Sequence, residues 1–284
     1  MDSKTFVIIG ASGQLGKALL ERYPDAVALT SSELDITNQA QVDGYDWSAV
    51  SVIFNAAAYT NVDGAETPEG RVAAWSINAV GTANLARVAQ RHSVTLVHVS
   101  TDFVFDGSQE THSETEPFSP LGVYAQSKAA GDIAASTAEQ FYVLRTSWLI
   151  GAGKNFVQIM LGLGQRGIAP SVIADHRGRP SFTTELVRAI DHLLTNQLPF
   201  GTYNVSNSGD VVSWAELTRA IFQEAGYDLV VTDTTNAAYY ADKPGSAPRP
   251  LNSALSLDKL AATGFVPTDW REDLTHYIAK EATT

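Results

Sequence analysis

The sequence predicts an α/β fold, a doubly wound parallel sheet of the Rossmann type with a smaller C-terminal lobe. Apolar runs of strand length alternate with longer stretches of helical periodicity, and a glycine-rich turn directly follows the first run. Strands that are buried on both faces form continuous apolar runs. Alternation of such strands with helices implies right-handed crossovers and hence a parallel sheet.

The elements follow one another in the order that this fold requires. Short apolar runs predict strands, and longer amphipathic stretches predict helices. The predicted strands are residues 6–9, 26–29, 52–54, 96–99 and 142–144, and the predicted helices are residues 14–22, 71–91 and 124–136. Further along the chain, a helix over residues 184–194 and a strand over residues 203–205 are expected to return to the large sheet.

Length and composition exclude several classes of protein. The 284 residues suffice for one large α/β domain or for two modest lobes that share a core. The chain has no cysteine, which excludes disulfides, thiolate zinc sites and a cysteine nucleophile. Its net charge of −12 argues against nucleic-acid binding. No apolar stretch is long enough to span a membrane, and residues 1–4 contain no signal peptide, so we expect a cytoplasmic protein.

Three glycines spaced G-x-x-G-x-x-G follow the first predicted strand and open the first predicted helix. Gly10 permits a tight turn, Gly13 lets the backbone approach a pyrophosphate, and Gly16 lets the helix pack closely on the sheet. The helix N terminus then offers N–H groups and the positive end of its dipole to the anion. A strand-to-helix turn without a ligand is the alternative, but the flanking elements favour dinucleotide binding.

The end of the second predicted strand bears on the choice of cofactor. An acidic side chain at this point would bind the ribose 2′-hydroxyl of NADH and repel the 2′-phosphate of NADPH. Residues 29–32 are Leu-Thr-Ser-Ser, with neither a carboxylate nor an arginine, although Glu33 could turn inward. Hydroxyl groups such as that of Ser31 can donate to a 2′-phosphate. We therefore expect NADPH, with NADH also accepted.

Two further strand ends carry small or polar residues. Ala56, Ala57 and Ala58 follow the third predicted strand, where small side chains allow a flat cofactor to lie against the backbone. Thr101 and Asp102 follow the fourth, at the edge where parallel sheets bind ligands. Close helix packing and turn capping are the alternatives for these two positions.

Tyr124 and Lys128 are four residues apart on a predicted helix and therefore share one face. A free phenol has a pKa of about 10, which makes it a weak proton donor at neutral pH. We expect the neighbouring ammonium to lower the pKa of Tyr124. An isolated Y-x-x-x-K pair is usually a surface pair, but here it follows Ser-Thr-Asp in a chain that is predicted to bind a dinucleotide.

These features divide the chain into two functional parts. Glycine and proline become frequent after residue 150, around residues 151–153, 162–170 and 244–250. We expect a dinucleotide-binding domain over residues 1–150, to which residues 176–205 return, and a substrate-binding lobe formed by residues 151–175 and 206–284. A cleft between the two is the expected ligand site.

Four longer sequence motifs indicate one protein family. They are N-A-A-A-Y-T-N-V-D at 55–63, S-T-D-F-V-F-D-G at 100–107, R-T-S-W at 145–148 and R-P-L-N-S at 249–253. Together with the glycine turn and the Tyr-Lys pair, they resemble the dTDP-4-dehydrorhamnose reductases of the extended short-chain dehydrogenase/reductase superfamily. The resemblance runs from the first strand to near the C terminus.

The resemblance implies that a hydride is transferred to the C4 ketone of dTDP-4-dehydro-L-rhamnose, the last step in the synthesis of dTDP-L-rhamnose. It implies that Tyr124 donates the proton, that Lys128 tunes Tyr124 and binds the nicotinamide ribose, and that Thr101 polarises the carbonyl. The implied cofactor contacts are Gln14, Leu15, Asp35, Ile36, residues 56–58 and Thr60. The implied contacts to the dTDP-sugar are Val62, Asp102, Phe103, Trp148, Arg249 and Asn252.

Two positions depart from the family pattern. Phe103 stands where these enzymes usually carry tyrosine, which removes one hydroxyl from the site. Some relatives form a dimer bridged by magnesium through a glutamate of the first helix, where this chain has Lys17 between Gly16 and an alanine. Glu185 alone cannot bind that metal, and the six histidines lack ligand spacing, so we expect no metal. The oligomeric state is expected to be a monomer or a homodimer.

Two other functions remain open from the sequence. The first is a nucleotide-sugar epimerase or dehydratase on the same scaffold, although dehydratases place an extra carboxylate where Phe103 stands. The second is a non-catalytic regulatory subunit related to the β subunit of methionine adenosyltransferase. Intact Thr101, Tyr124 and Lys128 argue against that role.

Overall fold

A computed structural model describes residues 5–281 of the chain. The strands in these residues are β1 (Thr5–Ile9), β2 (Val27–Leu29), β3 (Val50–Asn55), β4 (Thr95–Thr101), β5 (Phe141–Thr146), β6 (Leu149–Ile150), β7 (Ser171–Ile173), β8 (Arg177–Gly178), β9 (Ser181–Phe182), β10 (Gly201–Asn204), β11 (Val212–Ser213) and β12 (Thr232–Thr234). Six of them form one sheet in the order β10-β5-β4-β3-β1-β2, and every pairing in it is parallel. The predicted doubly wound parallel sheet is therefore confirmed.

Helices cover both faces of this sheet and build the second lobe. They are α1 (Gln14–Arg22), α2 (Gln39–Gly44), α3 (Pro68–Ala74), α4 (Thr82–His92), α5 (Val123–Ala135), α6 (Phe156–Gln165), α7 (Thr183–Thr195), α8 (Trp214–Glu224), α9 (Asn236–Tyr240), α10 (Asp258–Ala261) and α11 (Trp270–Glu281). Within residues 5–281, no helix is both long enough and apolar enough to cross a membrane.

The predicted helix over residues 71–91 is wrong in one respect, because the structure divides it. A π-helical segment, Trp75–Gly81, separates α3 from α4. The wide turn lets the Asn78 side chain reach the backbone of Tyr59 and the hydroxyl of Ser127. The segment runs directly from α3 into α4 without an intervening loop, so no loop composition marks the division in the sequence.

The core has two layers because alternate residues of each strand point to opposite faces of the sheet. Val7 and Ile9 pack in one layer with Leu85 of α4, whereas Ile8 packs in the other with Leu186 of α7. Both faces are thus covered by helices, as a parallel sheet requires.

A separate apolar core is formed by α6, α8 and α11 with β7, which pairs with β12. Its apolar residues include Met160, Phe222 and Trp270. Leu260 and Phe265, however, pack against the large sheet, although the sequence assigned them to the second lobe. The predicted division into two lobes remains a prediction, and residues 1–4 and 282–284 of it lie outside the described residues.

Candidate active site

In the glycine turn between β1 and α1, the backbone at Gly10 packs closely against the backbone at Ala57. Gly10 has a φ of +81°, and a Cβ there would lie closer than 3.0 Å to the backbone of Ala57. A Cβ on Gly16 would collide equally with Gly10 and Ala11. Gly13 is the N-cap of α1, and no side chain of the described residues caps this helix end. Its first N–H groups can therefore bind an anion.

A cavity of about 310 Å³ opens beside this turn. The predicted cofactor contacts on its wall are Gly10, Gly13, Ser31, Asp35, Ile36, Ala56, Ala57 and Ala58. Asp35 accepts hydrogen bonds from the backbone and the hydroxyl of Thr37. Among residues 5–281, no lysine or arginine lines this wall.

Glu33 is held at the tip of β2 rather than in this cavity. Its Oε2 accepts from the N–H of Thr30 at 2.7 Å and from the hydroxyl of Thr30 at 2.8 Å. These hydrogen bonds lower the pKa of the Glu33 carboxyl, which therefore stays ionised at neutral pH.

A second cavity of about 540 Å³ shares Gly13, Ala56 and Ala58 with the first, so the two are parts of one groove. Its wall contains ten further residues that the sequence singled out, two of which are predicted cofactor contacts from α1. They are Gln14, Leu15, Thr60, Val62, Thr101, Asp102, Phe103, Tyr124, Lys128 and Trp148. The structure thus brings the three predicted catalytic residues to one wall.

Lys128 is 2% exposed, and its Nζ donates to the carbonyl oxygen of Val99 at 2.6 Å. Burial lowers the pKa of Lys128 to about 8, against the opposing charge of Asp132. The ammonium form is consequently lost at a lower pH than for an exposed lysine.

The pKa of Tyr124 departs from the sequence-based expectation. Burial raises it above its usual value, and the charge of Asp102 raises it further, while a hydrogen bond with Thr101 acts in the opposite direction. The expected lowering by Lys128 is wrong for this structure, because burial and the charge of Asp102 both raise the pKa of Tyr124. Tyr124 therefore remains a neutral phenol with its proton available.

Thr101 and Asp102 form a buried pair at the end of β4. The Thr101 hydroxyl donates to Asp102 Oδ1 at 2.9 Å, and Asp102 Oδ2 has no hydrogen-bond partner within residues 5–281. Burial raises the pKa of Asp102 to about 6, while the neighbouring hydroxyls of Ser253 and Thr101 oppose the rise. This unpaired oxygen can accept a hydrogen bond from a ligand hydroxyl.

Sequence reasoning missed the residues that support α5. The Asn78 amide donates to Ser127 Oγ at 2.9 Å, beside the Tyr-Lys face, and Asn78 Oδ1 accepts from the N–H of Tyr59 at 2.8 Å. Glu66 accepts from the N–H of Val123 at 2.8 Å, at the N terminus of α5. No local pattern marks these contacts, because each joins distant parts of the chain.

A buried ionic cluster lies behind Lys128. Asp132 Oδ2 accepts from Arg145 Nε at 3.0 Å, and His98 Nε2 lies 3.8 Å from Asp132 Oδ1. Burial lowers the pKa of His98 well below its usual value, so this histidine is neutral. The spacing of Asp132, four residues after Lys128 on the same helix, is the signal that could have identified it.

A third cavity of about 450 Å³ adjoins the second through Phe103, Trp148 and Trp214. Its wall is mainly apolar, with six Phe, Trp and Tyr side chains, and it also contains the predicted substrate contact Arg249. Trp148 stacks on Trp214 with ring centroids 3.6 Å apart. Trp148 also has a φ of +44°, an unusual conformation for a bulky residue that occurs preferentially at functional sites.

Two predicted site residues do not line these cavities. Gly16 lies beneath the turn, where it allows close packing against Gly10. The Asn252 amide donates to the carbonyl oxygen of Gly107 at 2.9 Å, so it holds two loops together. Its place in the sequence string gives no information about that orientation.

The residues discussed for a metal are engaged elsewhere. Glu185 is fully buried and accepts from the N–H of Thr268 at 3.0 Å and from Arg188. Within residues 5–281, no group of three or more His, Asp or Glu side chains is arranged to hold a metal ion.

The chain is similar to known proteins along nearly its whole length. A family model described as the RmlD substrate binding domain matches residues 4–283. The dTDP-4-dehydrorhamnose reductase of Aggregatibacter actinomycetemcomitans is 38% identical over 290 residues, which cover 96% of this chain and 98% of that protein. The enzyme of the same name from Mycobacterium tuberculosis strain CDC 1551 / Oshkosh is 37% identical over 293 residues, with coverages of 99% and 94%.

A solved structure agrees with these sequence relatives. The crystal structure of dTDP-4-dehydrorhamnose reductase from Bacillus anthracis strain Ames, in complex with NADP, has a TM-score of 0.90 at 34% identity and covers 98% of this chain and 99% of that chain. The resemblance predicted from the sequence is confirmed. The chain belongs to the RmlD family, that of the dTDP-4-dehydrorhamnose reductases.

Proposed function

We propose that the chain is an NADPH-dependent oxidoreductase that reduces the C4 ketone of dTDP-4-dehydro-L-rhamnose to dTDP-L-rhamnose, the last step of dTDP-rhamnose synthesis. One observation carries this proposal. Thr101, Tyr124 and Lys128 line a cavity that is continuous with the glycine turn on one side and with an aromatic cavity on the other.

The groove fits a nicotinamide dinucleotide. Any Cβ on Gly10 would fill the turn, and Ala56, Ala57 and Ala58 leave a shallow wall beside it. We assign the pyrophosphate to the N terminus of α1 at Gly13, Gln14 and Leu15, and the adenosine to Ser31, Asp35 and Ile36. When bound, the cofactor supplies the hydride. Thr60 and Lys128 border the opposite end of the groove.

Tyr124 supplies the proton. Its phenol is neutral at physiological pH because burial raises its pKa, so it carries the proton that the developing alkoxide needs. The Lys128 ammonium, fixed by Val99, stabilises the negative charge that remains on the phenolate. Thr101 lies beside both groups, and its hydroxyl can turn from Asp102 to the substrate carbonyl oxygen.

The nucleotide-sugar occupies the second and third cavities in this proposal. Arg249 suits a diphosphate because its planar guanidinium binds pairs of oxygens. The stacked Trp148 and Trp214 present a flat apolar wall for the base. Val62, Asp102 and Phe103 border the sugar, and the unpaired Oδ2 of Asp102 accepts from one of its hydroxyls.

A turnover measurement tests the proposal. The purified chain is mixed with NADPH and the 4-keto sugar, and the absorbance of the reduced cofactor is followed while the product is identified by mass. We expect many equivalents of NADPH to be oxidised per protein, with formation of dTDP-L-rhamnose. Oxidation of at most one equivalent would instead indicate an epimerase or dehydratase, and the absence of both oxidation and nucleotide binding would indicate a regulatory subunit.

Three further properties belong to the same proposal. NADH is accepted as a second cofactor, because no cation lines the adenosine wall to favour a 2′-phosphate. The chain acts in the cytoplasm, where reduced nicotinamide cofactors and nucleotide-sugars are made. It works as a monomer or a homodimer.

A further inference from the structure

Asp63 joins the dinucleotide-binding side of the molecule to the segment that carries Arg249. It lies in the loop after β3, at the end of the string 55–63. Its Oδ1 accepts from Arg249 Nη2 at 2.8 Å and from the N–H of Ala247 at 3.0 Å. Both partners are more than 180 residues away along the chain, so one carboxylate oxygen bridges two distant segments.

The guanidinium of Arg249 is fixed from several directions. Its Nη1 donates to the carbonyl oxygen of Ala247 at 2.8 Å, and its Cζ lies 4.7 Å from the centre of the Tyr240 ring. The side chain is only 14% exposed, yet it lines the aromatic cavity. Its charge acts inside that cavity, where it adds to the effect of burial in lowering the pKa of His176 to about 4.

These contacts leave part of the guanidinium unused. An arginine has five N–H donors, and Asp63 and Ala247 each accept from one nitrogen. The remaining donors can bind anionic oxygens without breaking the pair with Asp63. Arginine loses much rotamer freedom when it binds a ligand, and a side chain that is already ordered avoids that cost.

We propose that Asp63 is a positioning residue for substrate binding, which holds Arg249 in the orientation that receives the diphosphate of the nucleotide-sugar. This inference rests on the proposed function, since it takes the ligand of Arg249 to be a nucleoside diphosphate. Asp63 acts through the geometry of its Oδ1 and does not touch the reacting atoms. It therefore affects nucleotide binding and KM, and it leaves kcat and cofactor binding unchanged.

The experiment compares three variants with the wild type by calorimetric titration with thymidine diphosphate and with NADPH. Asp63→Ala removes the acceptor, whereas Asp63→Asn keeps an oxygen at the same place. Asp210→Ala breaks an Asp–Arg pair with Arg271 that lies outside the three cavities, and it serves as the control. We expect Asp63→Ala to raise the Kd for thymidine diphosphate at least tenfold. Asp63→Asn and Asp210→Ala should stay within threefold, and the Kd for NADPH should not change in any variant.

Steady-state kinetics give a second readout. In Asp63→Ala, the KM for the 4-keto sugar should rise in parallel with the Kd for thymidine diphosphate, while kcat stays within twofold. Equal affinity of the wild type and Asp63→Ala for thymidine diphosphate would overturn the positioning role of Asp63 and leave the proposed function intact. A loss of affinity in Asp63→Asn equal to that in Asp63→Ala would do the same. A wild-type chain that binds no thymidine diphosphate would overturn the proposed function, and this inference with it.

Discussion

Asp102 and Lys128 of the second cavity are almost entirely buried and Tyr124 is partly buried, and burial dominates the behaviour of all three groups. Asp102 is 3% exposed and Lys128 is 2% exposed. Loss of solvation raises the pKa of the carboxyl and the phenol and lowers that of the ammonium, so each group moves towards its neutral form. The sequence places the groups correctly but does not disclose how deeply each one is buried.

The pH dependence of kcat should show the loss of the proton from the Lys128 ammonium. Since burial lowers its pKa to about 8, the ammonium is lost as the pH rises through that value, and kcat should fall above about pH 8. The measurement is kcat at saturating substrates from about pH 6 to pH 9.5. Lys128→Arg, which cannot lose its charge in this range, is the control. Its lower kcat should show no such decline, and an equal decline would exclude Lys128 as the origin.

The buried carboxylate of Asp102 should lower the stability of the fold at a pH where it is ionised. Its pKa rises from 3.8 to about 6 on folding, so the folded state binds the proton more tightly than the unfolded state. The associated stabilisation is present below about pH 4 and is lost as the pH rises through about 6. At about pH 8, the free energy of unfolding of Asp102→Asn should therefore exceed that of the wild type by roughly 1–3 kcal/mol, as measured by denaturant unfolding.

The same comparison at low pH is the internal control for Asp102→Asn. Below about pH 4, the wild-type carboxyl is protonated in the folded and in the unfolded protein. The gain in free energy of unfolding from Asp102→Asn should therefore vanish. A gain of equal size at both pH values would mean that the substitution acts through packing and not through ionisation.

At the level of elements, α5 is the helix on which the site depends. Glu66 accepts from the N–H of Val123 at its first residue, and Gly131 lets it approach the π-helical segment. A Cβ on Gly131 would lie closer than 3.0 Å to the carbonyl oxygen of Asn78. Close packing at this point fixes the rotation of α5, and hence the direction of Tyr124 and Lys128.

Gly131→Ala should therefore destabilise the fold by roughly 1–3 kcal/mol, since backbone must shift to admit the methyl group. Gly162→Ala in α6 is the matched control, because a Cβ there meets nothing within 4 Å. That variant should be more stable than the wild type by roughly 0.5–1 kcal/mol, through helix propensity alone. Denaturant unfolding of both variants checks the pair, and a neutral or stabilising Gly131→Ala would contradict the packing role.

Elements with a strong local pattern were predictable, and those that depend on distant contacts were not. The run before Gly10 and the amphipathic stretch after it gave β1 and the bounds of α1. At the division between α3 and α4, Asn78 contacts the loop at Tyr59, and the local sequence does not show such a distant contact. The two-residue strands β8 and β11 likewise have too few residues to show alternation.

The candidate site followed a similar rule. Tyr124, Lys128 and Thr101 were found because helix spacing and a strand end bring them together by simple geometry. Asn252 was placed in the site from a sequence string, and only the fold shows that its amide binds Gly107. Asp63 belonged to another such string, and its link to Arg249 depends on how the second lobe folds back.

On the scale of the whole molecule, three cavities form one continuous groove from the glycine turn to the cavity that contains Arg249. The first two share Gly13, Ala56 and Ala58, and the last two share Phe103, Trp148 and Trp214. The predicted catalytic residues Thr101, Tyr124 and Lys128 line the middle cavity, between the cavity beside the glycine turn and the cavity that contains Arg249.

The kinetics of Tyr124→Phe, set beside its NADPH affinity, test the central role of this residue most directly. Loss of the phenolic hydroxyl removes the proton donor and leaves the ring in place, so kcat should fall by roughly 10²- to 10⁴-fold. The Kd for NADPH, measured by titration, should stay within threefold of the wild-type value. Full turnover by Tyr124→Phe would contradict the assignment of Tyr124 as the proton donor.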